Sequence, residues 1–517
     1  MVKILCKEEK EIFNLFSSPI KVGILTFISR VFGYLRDLII TYFFGANFET
    51  DAFYVAYRIP NLFRRLLAEG TLSTTLVPFF TEAESFKDKN IFKNLRNNIF
   101  TIVFTALLVI TSVFYYFSVE LINIFAFGFD SKTKELSSDL LKKMSPFLFL
   151  ISLSALNMGL LNSLKKFNAP AFSPVLMNLG IILIILISSF YFSLSINILA
   201  YAVLFGALLQ YLFQIPFILK SNVGYSFSFS DCINPKTKEI LGVLFPQIFG
   251  LAIYNINILV NTQFASFLQK GSITYLYLAE RLIEFPLGIF AVSIATTILP
   301  DLSKHYLNKN SSGFSTIVNE KLKFLIYLSV PFAVSFILLG ENLCSLLYAR
   351  GEFTVEDSFL TYKALVGYSI GLIFVAGVRL ITQGFYAIKN TKLPVRYGAY
   401  NLVINFLLCY LLGFYFDLGF YGLALASSIS SVCLFIFLSL SLKRIFNEID
   451  LIDLAKFLIQ IILISFASIY VGIKVADFFL LGENLIILLS ATVMISFLIF
   501  YSISKFLNLR ELKMIFK

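Results

Sequence analysis

Apolar stretches of about 20 residues, each long enough to cross a bilayer, follow one another along almost the whole chain. About fourteen can be counted at that length, centred near residues 30, 66, 110, 151, 181, 208, 254, 288, 333, 373, 404, 432, 464 and 494. The 517 residues are 58% hydrophobic, with a mean hydropathy of +0.84, a balance no soluble domain shows. The runs are too long and too uniformly apolar for the alternation of barrel strands. The sequence therefore describes an all-α polytopic membrane protein.

The net charge of +11 raises the question of nucleic acid, but its distribution argues against it. Basic residues fall in alternate loops, among them Lys87/Lys89/Lys93/Arg96, Lys165/Lys166, Lys220/Lys236/Lys238, Lys389/Lys392/Arg396 and Lys443/Arg444. Both ends join them through Lys3/Lys7/Lys10 and Lys505/Arg510/Lys513/Lys517. The loop carrying Lys132, Lys134, Lys142 and Lys143 is the main exception. The positive-inside rule then places both termini in the cytoplasm, which requires an even number of spans. Fourteen fits, as would twelve or sixteen. The polar, lysine-bearing start does not have the form of a cleavable signal peptide. The five cysteines show no CxxC spacing, so neither a disulfide framework nor a metal site is expected. Tryptophan is absent, which leaves the interfacial belt to the 26 tyrosines.

Two halves repeat. Thr74-Thr75-Leu76-Val77-Pro78 is expected to end the second span and Thr296-Thr297-Ile298-Leu299-Pro300 the eighth; Pro174-Val175 is expected to open the fifth and Pro394-Val395 the eleventh. Equal numbers of spans between the matches favour two six-helix bundles in parallel orientation. Repeats of this kind place a substrate site at their interface near the membrane midplane, with alternating access by rocking. The expected division is 1–220 for the first bundle, 221–238 for a polar amphipathic linker, 239–447 for the second bundle, and 448–517 for a final helix pair outside the repeat.

Charge inside such spans is the next constraint. Five arginines lie between Ser29 and Glu69: Arg30, Arg36, Arg58, Arg64 and Arg65. An arginine at mid-bilayer costs roughly 2.5–3.5 kcal/mol even on insertion scales, so it faces a watery cavity or a partner. On a helical wheel Arg30, Gly33, Arg36 and Asp37 form a wedge about 100–120° wide, with Gly33 leaving room for a ligand near the backbone. Arg58, Asn61, Arg65, Ala68 and Glu69 make a second stripe, flanked by Arg64. In the second half Arg281 and Glu284 stand one turn apart before Pro286, which should bend the helix, and Arg379 precedes Gln383 by one turn. The pairs Arg65–Glu69 and Arg281–Glu284 can equally serve helix packing. Counting Asp37, Glu69, Glu280 and Glu284 as partners still leaves a positive surplus, and arginine suits bidentate phosphate recognition. An anionic ligand is expected.

Catalytic readings find little support. There is no GxxxxGK[ST] loop for nucleotide-driven transport, no HExxH and no aspartate-rich cluster for metal-dependent chemistry. The single histidine, His305, is expected at a solvated helix end.

The blocks SRVFGYLRD (29–37), DAFYVAYRIPNLFRRLLAEG (51–70), AERLIEFPLGIFAVSIATTILP (279–300) and FYAIKNTKLPV (385–395) resemble the MviN/MurJ family of lipid II flippases. That family lies within the multidrug/oligosaccharidyl-lipid/polysaccharide exporter superfamily. The resemblance runs in the same order from about residue 20 to residue 510. It implies fourteen helices: two six-helix lobes around a V-shaped central cavity, and a final pair lining a groove for the undecaprenyl tail. By position it implies that Ser29, Arg30, Arg36, Asp37, Arg64 and Arg281 meet the substrate. Arg30, Arg36 and Arg281 would hold the pyrophosphate and head group, and Asp37 would orient them. Asp51, Arg65 and Glu69 also fall on family motif positions; Asn61, Glu284 and Arg379 join them as supporting residues. Some members carry carboxylates of a sodium site in the seventh and eleventh helices. Here Asn255/Asn257 and Asn401/Asn405 stand there, so Asn401 and Asn405 are weak sodium candidates without charge.

The expected function is to move lipid II, an undecaprenyl-pyrophosphate-linked muropeptide, from the inner to the outer leaflet of the cytoplasmic membrane for cell-wall synthesis. No covalent chemistry, cofactor or nucleic acid is called for. The membrane potential is the simplest driver, with a monovalent ion as an addition, and the peptidoglycan synthesis machinery is a candidate partner. Alternatives are export of O-antigen-type lipid-linked oligosaccharides or of drugs, and an envelope scaffold that transports nothing. A pump for cationic drugs should place surplus acid in its cavity, whereas this chain places surplus arginine there.

Overall fold

A computed structural model describes residues 18–67, 71–85, 89–191, 194–221, 224–228, 234–479 and 484–515. Its described secondary structure is helical, with one isolated bridge between Arg350 and Phe353. The chain divides into two compact units, Met1–Asn255 and Ile256–Lys517. Eleven helices among the described residues are long and apolar enough to cross a membrane.

The first unit contains α1 (Ser18–Phe44), α2 (Phe48–Leu67), α3 (Thr71–Ser85), α4 (Lys89–Tyr116), α5 (Ser118–Phe125), α6 (Ser131–Ser163), α7 (Asn168–Tyr191) and α8 (Asn197–Leu219). The next helix, α9 (Pro235–Ala265), begins in this unit and contains the boundary. α1 and α2 are not among the eleven apolar spans because Arg30, Arg36 and Asp37, and Asp51, Arg58 and Arg64, lower their hydropathy. α2 has a local start signal. Asn47 Oδ1 accepts from the amides of Glu49 (2.9 Å) and Thr50 (3.2 Å), and Glu49 and Asp51 occupy the first turn, where the helix dipole favours acids.

One core of this unit joins Leu76 and Phe80 of α3 with Leu95 and Ile99 of α4, Leu156 and Leu160 of α6, Ile218 of α8, and Ile240 and Leu244 of α9. Within the expected linker, residues 224–228 lie on α4, and 235–238 already belong to α9. The amide of Ser226 donates to Asn97 Oδ1 (3.2 Å), Asn97 Nδ2 donates to Ser226 Oγ (2.6 Å), and Tyr225 stacks on Phe100 at 4.5 Å. α7 and α8 approach closely: a Cβ at Gly206 would sit 2.4 Å from the carbonyl oxygen of Met177.

The second unit continues with α10 (Ser272–Pro286), a π-turn at Leu287–Ala291, α11 (Val292–Leu307), α12 (Ser311–Leu338), α13 (Gly340–Tyr348), α14 (Val355–Ala387) and α15 (Lys392–Tyr410). A second π-turn at Leu411–Tyr415 leads to α16 (Gly419–Ile445), α17 (Leu451–Phe479), α18 (Leu485–Phe506) and α19 (Arg510–Ile515). α14 starts with a capping box between Thr354 and Asp357, and Asp357 Oδ1 also accepts from the Tyr275 hydroxyl of α10 (2.6 Å). α14 packs on α16 through small residues: Ser428 Oγ accepts from the amide of Gly371 (3.0 Å) and donates to the carbonyl of Gly367 (2.6 Å). α17 packs on α18 and on α12, and large apolar side chains such as Leu463, Met494 and Phe497 remain exposed on the pair.

The structure corrects three expectations about helix ends. The helices run past Pro78 to Ser85 and past Pro300 to Leu307, and α7 begins at Asn168, upstream of Pro174. Pro174 sits inside its helix because the carbonyl of Pro170, which its missing N–H leaves unpaired, accepts from the Ser173 hydroxyl (3.1 Å). Beyond Pro286, at the place where a bend is expected, the chain widens into the π-turn and resumes as α11.

Several helices begin beside lysines and end on consecutive aromatic rings. Tyr42–Phe43, Tyr115–Tyr116, Tyr415–Phe416 and Phe478–Phe479 pair edge to face at 4.9, 5.3, 5.2 and 5.1 Å. Phe190 and Tyr191 end α7 with 82% and 78% of their surface open. Rings at that exposure suit a lipid–water interface, the place tryptophan takes elsewhere.

Candidate functional site

The α1 wedge is present and divides into two parts. Arg36 and Asp37 are buried, at 4% and 0% exposure, whereas Arg30 is exposed and Ser29 half-buried. Arg36 donates through Nε (3.0 Å) and Nη2 (2.7 Å) to Asp37 Oδ1, and through Nη1 (3.2 Å) to Asn178 Oδ1 of α7. Its guanidinium carbon lies 5.9 Å from the Tyr57 ring of α2. Asn178 Nδ2 in turn donates to the carbonyls of Ser29 (3.3 Å) and Pro174 (3.2 Å). One amide thus joins α1 to α7 and holds the arginine in place.

Gly33 faces α7: a Cβ there would meet Asn178 Nδ2 at 3.5 Å, an ordinary van der Waals contact. Arg36 is committed inside the first unit. Removing one member of a buried ion pair costs about 3–5 kcal/mol, so this arginine has a structural task whatever else it does.

On α2, Asp51 and Arg58 are buried, and the helix carries Pro60 in its interior. Asn61 and Arg64 face each other one turn apart, Arg64 Nε donating to Asn61 Oδ1 at 2.7 Å, and both are half-buried. The side chain of Arg65 and all of Glu69 lie outside the described residues, and with them the Arg65–Glu69 pair.

In the second unit Arg281 and Glu284 form an ion pair on α10 at 3.1 Å, with side chains 28% and 34% exposed. The Arg281 guanidinium lies 5.6 Å from the Tyr277 ring. Arg379 is half-buried on α14.

The asparagine cluster differs from the expected one. Asn405, 1% exposed, donates through Nδ2 to Asn261 Oδ1 (3.0 Å), and Asn261 Nδ2 donates to Ser427 Oγ (2.6 Å). Ser430 Oγ donates to Asn405 Oδ1 (3.4 Å), and the Cys409 thiol points at Asn261 Oδ1 (3.4 Å). The member from α9 is therefore Asn261, one turn beyond Asn257; Asn401 is buried nearby in sequence with its Oδ1 unpartnered. The oxygens of Asn261 and Asn405 that a cation would use already accept hydrogen bonds, and no carboxylate is among these partners. The set is one of neutral amide and hydroxyl groups, with no carboxylate among the described partners to match a cation's charge.

Sequence reasoning missed Asn178 and Asn261. Asn178 is a lone amide in an apolar helix, and its one signal was the cost of burying an amide without a partner.

The family model described as "Lipid II flippase MurJ" matches residues 40–490. A protein of Buchnera aphidicola subsp. Acyrthosiphon pisum named "Probable lipid II flippase MurJ" is 36% identical over 433 residues, 83% of this chain and 84% of its own. A Vibrio cholerae protein of the same name is 34% identical over 433 residues, 81% of each chain. Among solved structures, one described as "Lipid II flippase MurJ, inward closed conformation" superposes with a TM-score of 0.78 at 28% identity, covering 95% of this chain and 100% of that one. An inward-facing multidrug resistance transporter of the MATE family shares the fold at 15% identity and a TM-score of 0.71. The chain is a multi-pass membrane protein and belongs to the MurJ family of lipid II flippases.

Proposed function

We propose that this protein carries lipid II from the inner to the outer leaflet of the cytoplasmic membrane by alternating access, without covalent chemistry. The observation that carries the proposal is agreement along nearly the whole chain, 95% of it, with a solved lipid II flippase. Arg30, Arg64 and Arg281, the more accessible of the cations considered, would engage the pyrophosphate and the acidic head group. Arg36, fixed by Asp37 and Asn178, would position α1 and add its field to theirs. The exposed apolar side chains of α17 and α18 suit an undecaprenyl tail, where each buried methylene contributes about 0.8 kcal/mol.

In this reading both termini are cytoplasmic, residues 1–220 and 239–447 act as the two lobes, and 221–238 is their linker. The driver is the membrane potential: an anionic head group moving outward from a negative interior gains about 2.3 kcal/mol per charge per 100 mV. The peptidoglycan synthesis machinery would take the lipid II delivered outside. The test is replacement of the resident flippase in depleted cells. Growth should be restored by this chain and lost with Arg281→Ala at equal membrane level; full growth of the Arg281→Ala strain would reject the head-group assignment.

A further inference from the structure

A groove of about 410 Å3 opens in the first unit between α1, α7 and α8, within the roughly 300–1,000 Å3 of ligand pockets. Its walls are Ile24 and Leu25 of α1, Phe172 of α7, and Phe213 and Phe217 of α8, with Lys21 as the one charged lining residue among the described residues. The rings form a continuous apolar wall: Phe172 and Phe213 lie 5.5 Å apart, Phe213 and Phe217 5.3 Å. Asn168, the first residue of α7, also lines it.

Among the described residues, charge beside the start of α7 is basic. Lys165 and Lys166 immediately precede α7, Lys220 follows α8, and all three are exposed. Lys166 Nζ reaches the Ser221 hydroxyl (2.7 Å), which ties the start of α7 to the end of α8. Between Asp139 and Asp231 the sequence contains no acid, and the acids that precede Asp37 are Glu8, Glu9 and Glu11, upstream of α1. An apolar slot with a cation in its wall and lysines beside the start of α7 matches one occupant, a lipid with an apolar chain and an anionic head.

We propose that this groove holds an acyl chain of an anionic glycerophospholipid, with its phosphate among Lys21, Lys165, Lys166 and Lys220. The inference stands apart from the transport reading, because the site uses none of the residues assigned to lipid II. Basic residues near a membrane surface contribute additively to anionic-lipid binding, about fivefold in affinity each.

The chain contains no tryptophan, so a single introduced indole reports on one place. The full-length protein carrying Phe217→Trp is reconstituted in vesicles containing brominated phosphatidylglycerol or brominated phosphatidylcholine. Val109→Trp, on the exposed face of α4, serves as the bulk-lipid reference. The Phe217→Trp protein should be quenched at a several-fold lower fraction of the brominated anionic lipid than of the neutral one, and the reference equally by both. Adding Lys21→Glu, or Lys21→Gln if the former fails to fold, should cut the preference about fivefold or more. Equal quenching by both lipids, or none by either, would overturn the proposal. So would relief of quenching by undecaprenyl phosphate at lower concentration than by unbrominated phosphatidylglycerol, because the groove would then belong to the carrier lipid.

Discussion

Asn178 and Arg36, 142 positions apart in sequence, meet at 3.2 Å, and the same asparagine amide donates back to the carbonyl of Ser29 on the helix that carries the arginine. The contact fixes α1 against α7 and determines which arginine of the wedge is committed to the fold. Hydrogen bonds to charged groups are worth about 1.5–3 kcal/mol, so Asn178→Leu should lower the melting temperature of the purified protein. Asn178→Asp keeps an acceptor facing Arg36 and should retain more of the stability. Melting curves of the two variants check this; an Asn178→Leu protein as stable as the parent would contradict the clasp.

Arg30 and Arg36 should separate in mutagenesis although both lie on one wedge. Arg36→Ala strands the buried Asp37 carboxylate, a loss of about 3–5 kcal/mol, and the variant should accumulate poorly in membranes. Arg30 is exposed, so Arg30→Ala should change stability by no more than about 0.5 kcal/mol yet weaken lipid II binding. Membrane level and melting temperature, measured beside binding of lipid II, distinguish the two. Identical melting of the two variants would undo the division.

How far the sequence carried this description varies from residue to residue. The spans, the arginine wedge and the i,i+3 pair Arg281–Glu284 are local in sequence and could be read from periodicity. Asn178 could not be matched to Arg36, because nothing local tells an amide in an apolar helix which distant helix it will face. Pro78, Pro174 and Pro300 belong to repeat motifs that mark expected helix ends, yet the helices continue through all three. At Pro174 a neighbouring serine hydroxyl takes up the freed carbonyl, a repair visible only in three dimensions. Gly33 was placed on the right face, but its neighbour is an amide of α7.

The start of α17 should depend on pH through Asp450. Its Oδ1 accepts from the amides of Ile452 and Asp453, both at 3.0 Å, and the Asp453 amide holds the carboxyl below its ordinary range. A depressed folded-state value means that the cap's stabilisation is present above the unfolded carboxylate range and is lost as pH falls through the folded one. Hydrogen exchange at Ile452 and Asp453, corrected for intrinsic rates, should therefore quicken in acid in the parent. In Asp450→Ala it should be fast at every pH. PH-independent protection in the parent would contradict the cap.

The Asn261–Asn405 pair should act as a clasp that needs no ion. Asn405→Leu leaves the Asn261 oxygen without its amide donor, a loss of about 1–3 kcal/mol, and should lower the melting temperature by the same amount with or without sodium. A parent protein whose melting temperature rises with sodium but not with potassium would show that the amides do form a cation site.

The central claim is tested most directly by flipping itself. The purified protein is reconstituted in vesicles with fluorescent lipid II, and a membrane-impermeant reductant is added outside while a potassium gradient with valinomycin sets the potential. The account predicts that the protected inner-leaflet fluorescence is lost in protein-containing vesicles, faster when the potential favours movement of the anionic head group towards the reductant. Arg281→Ala vesicles should retain that fluorescence. Protection that stays the same with and without the protein, at either potential, would contradict the account.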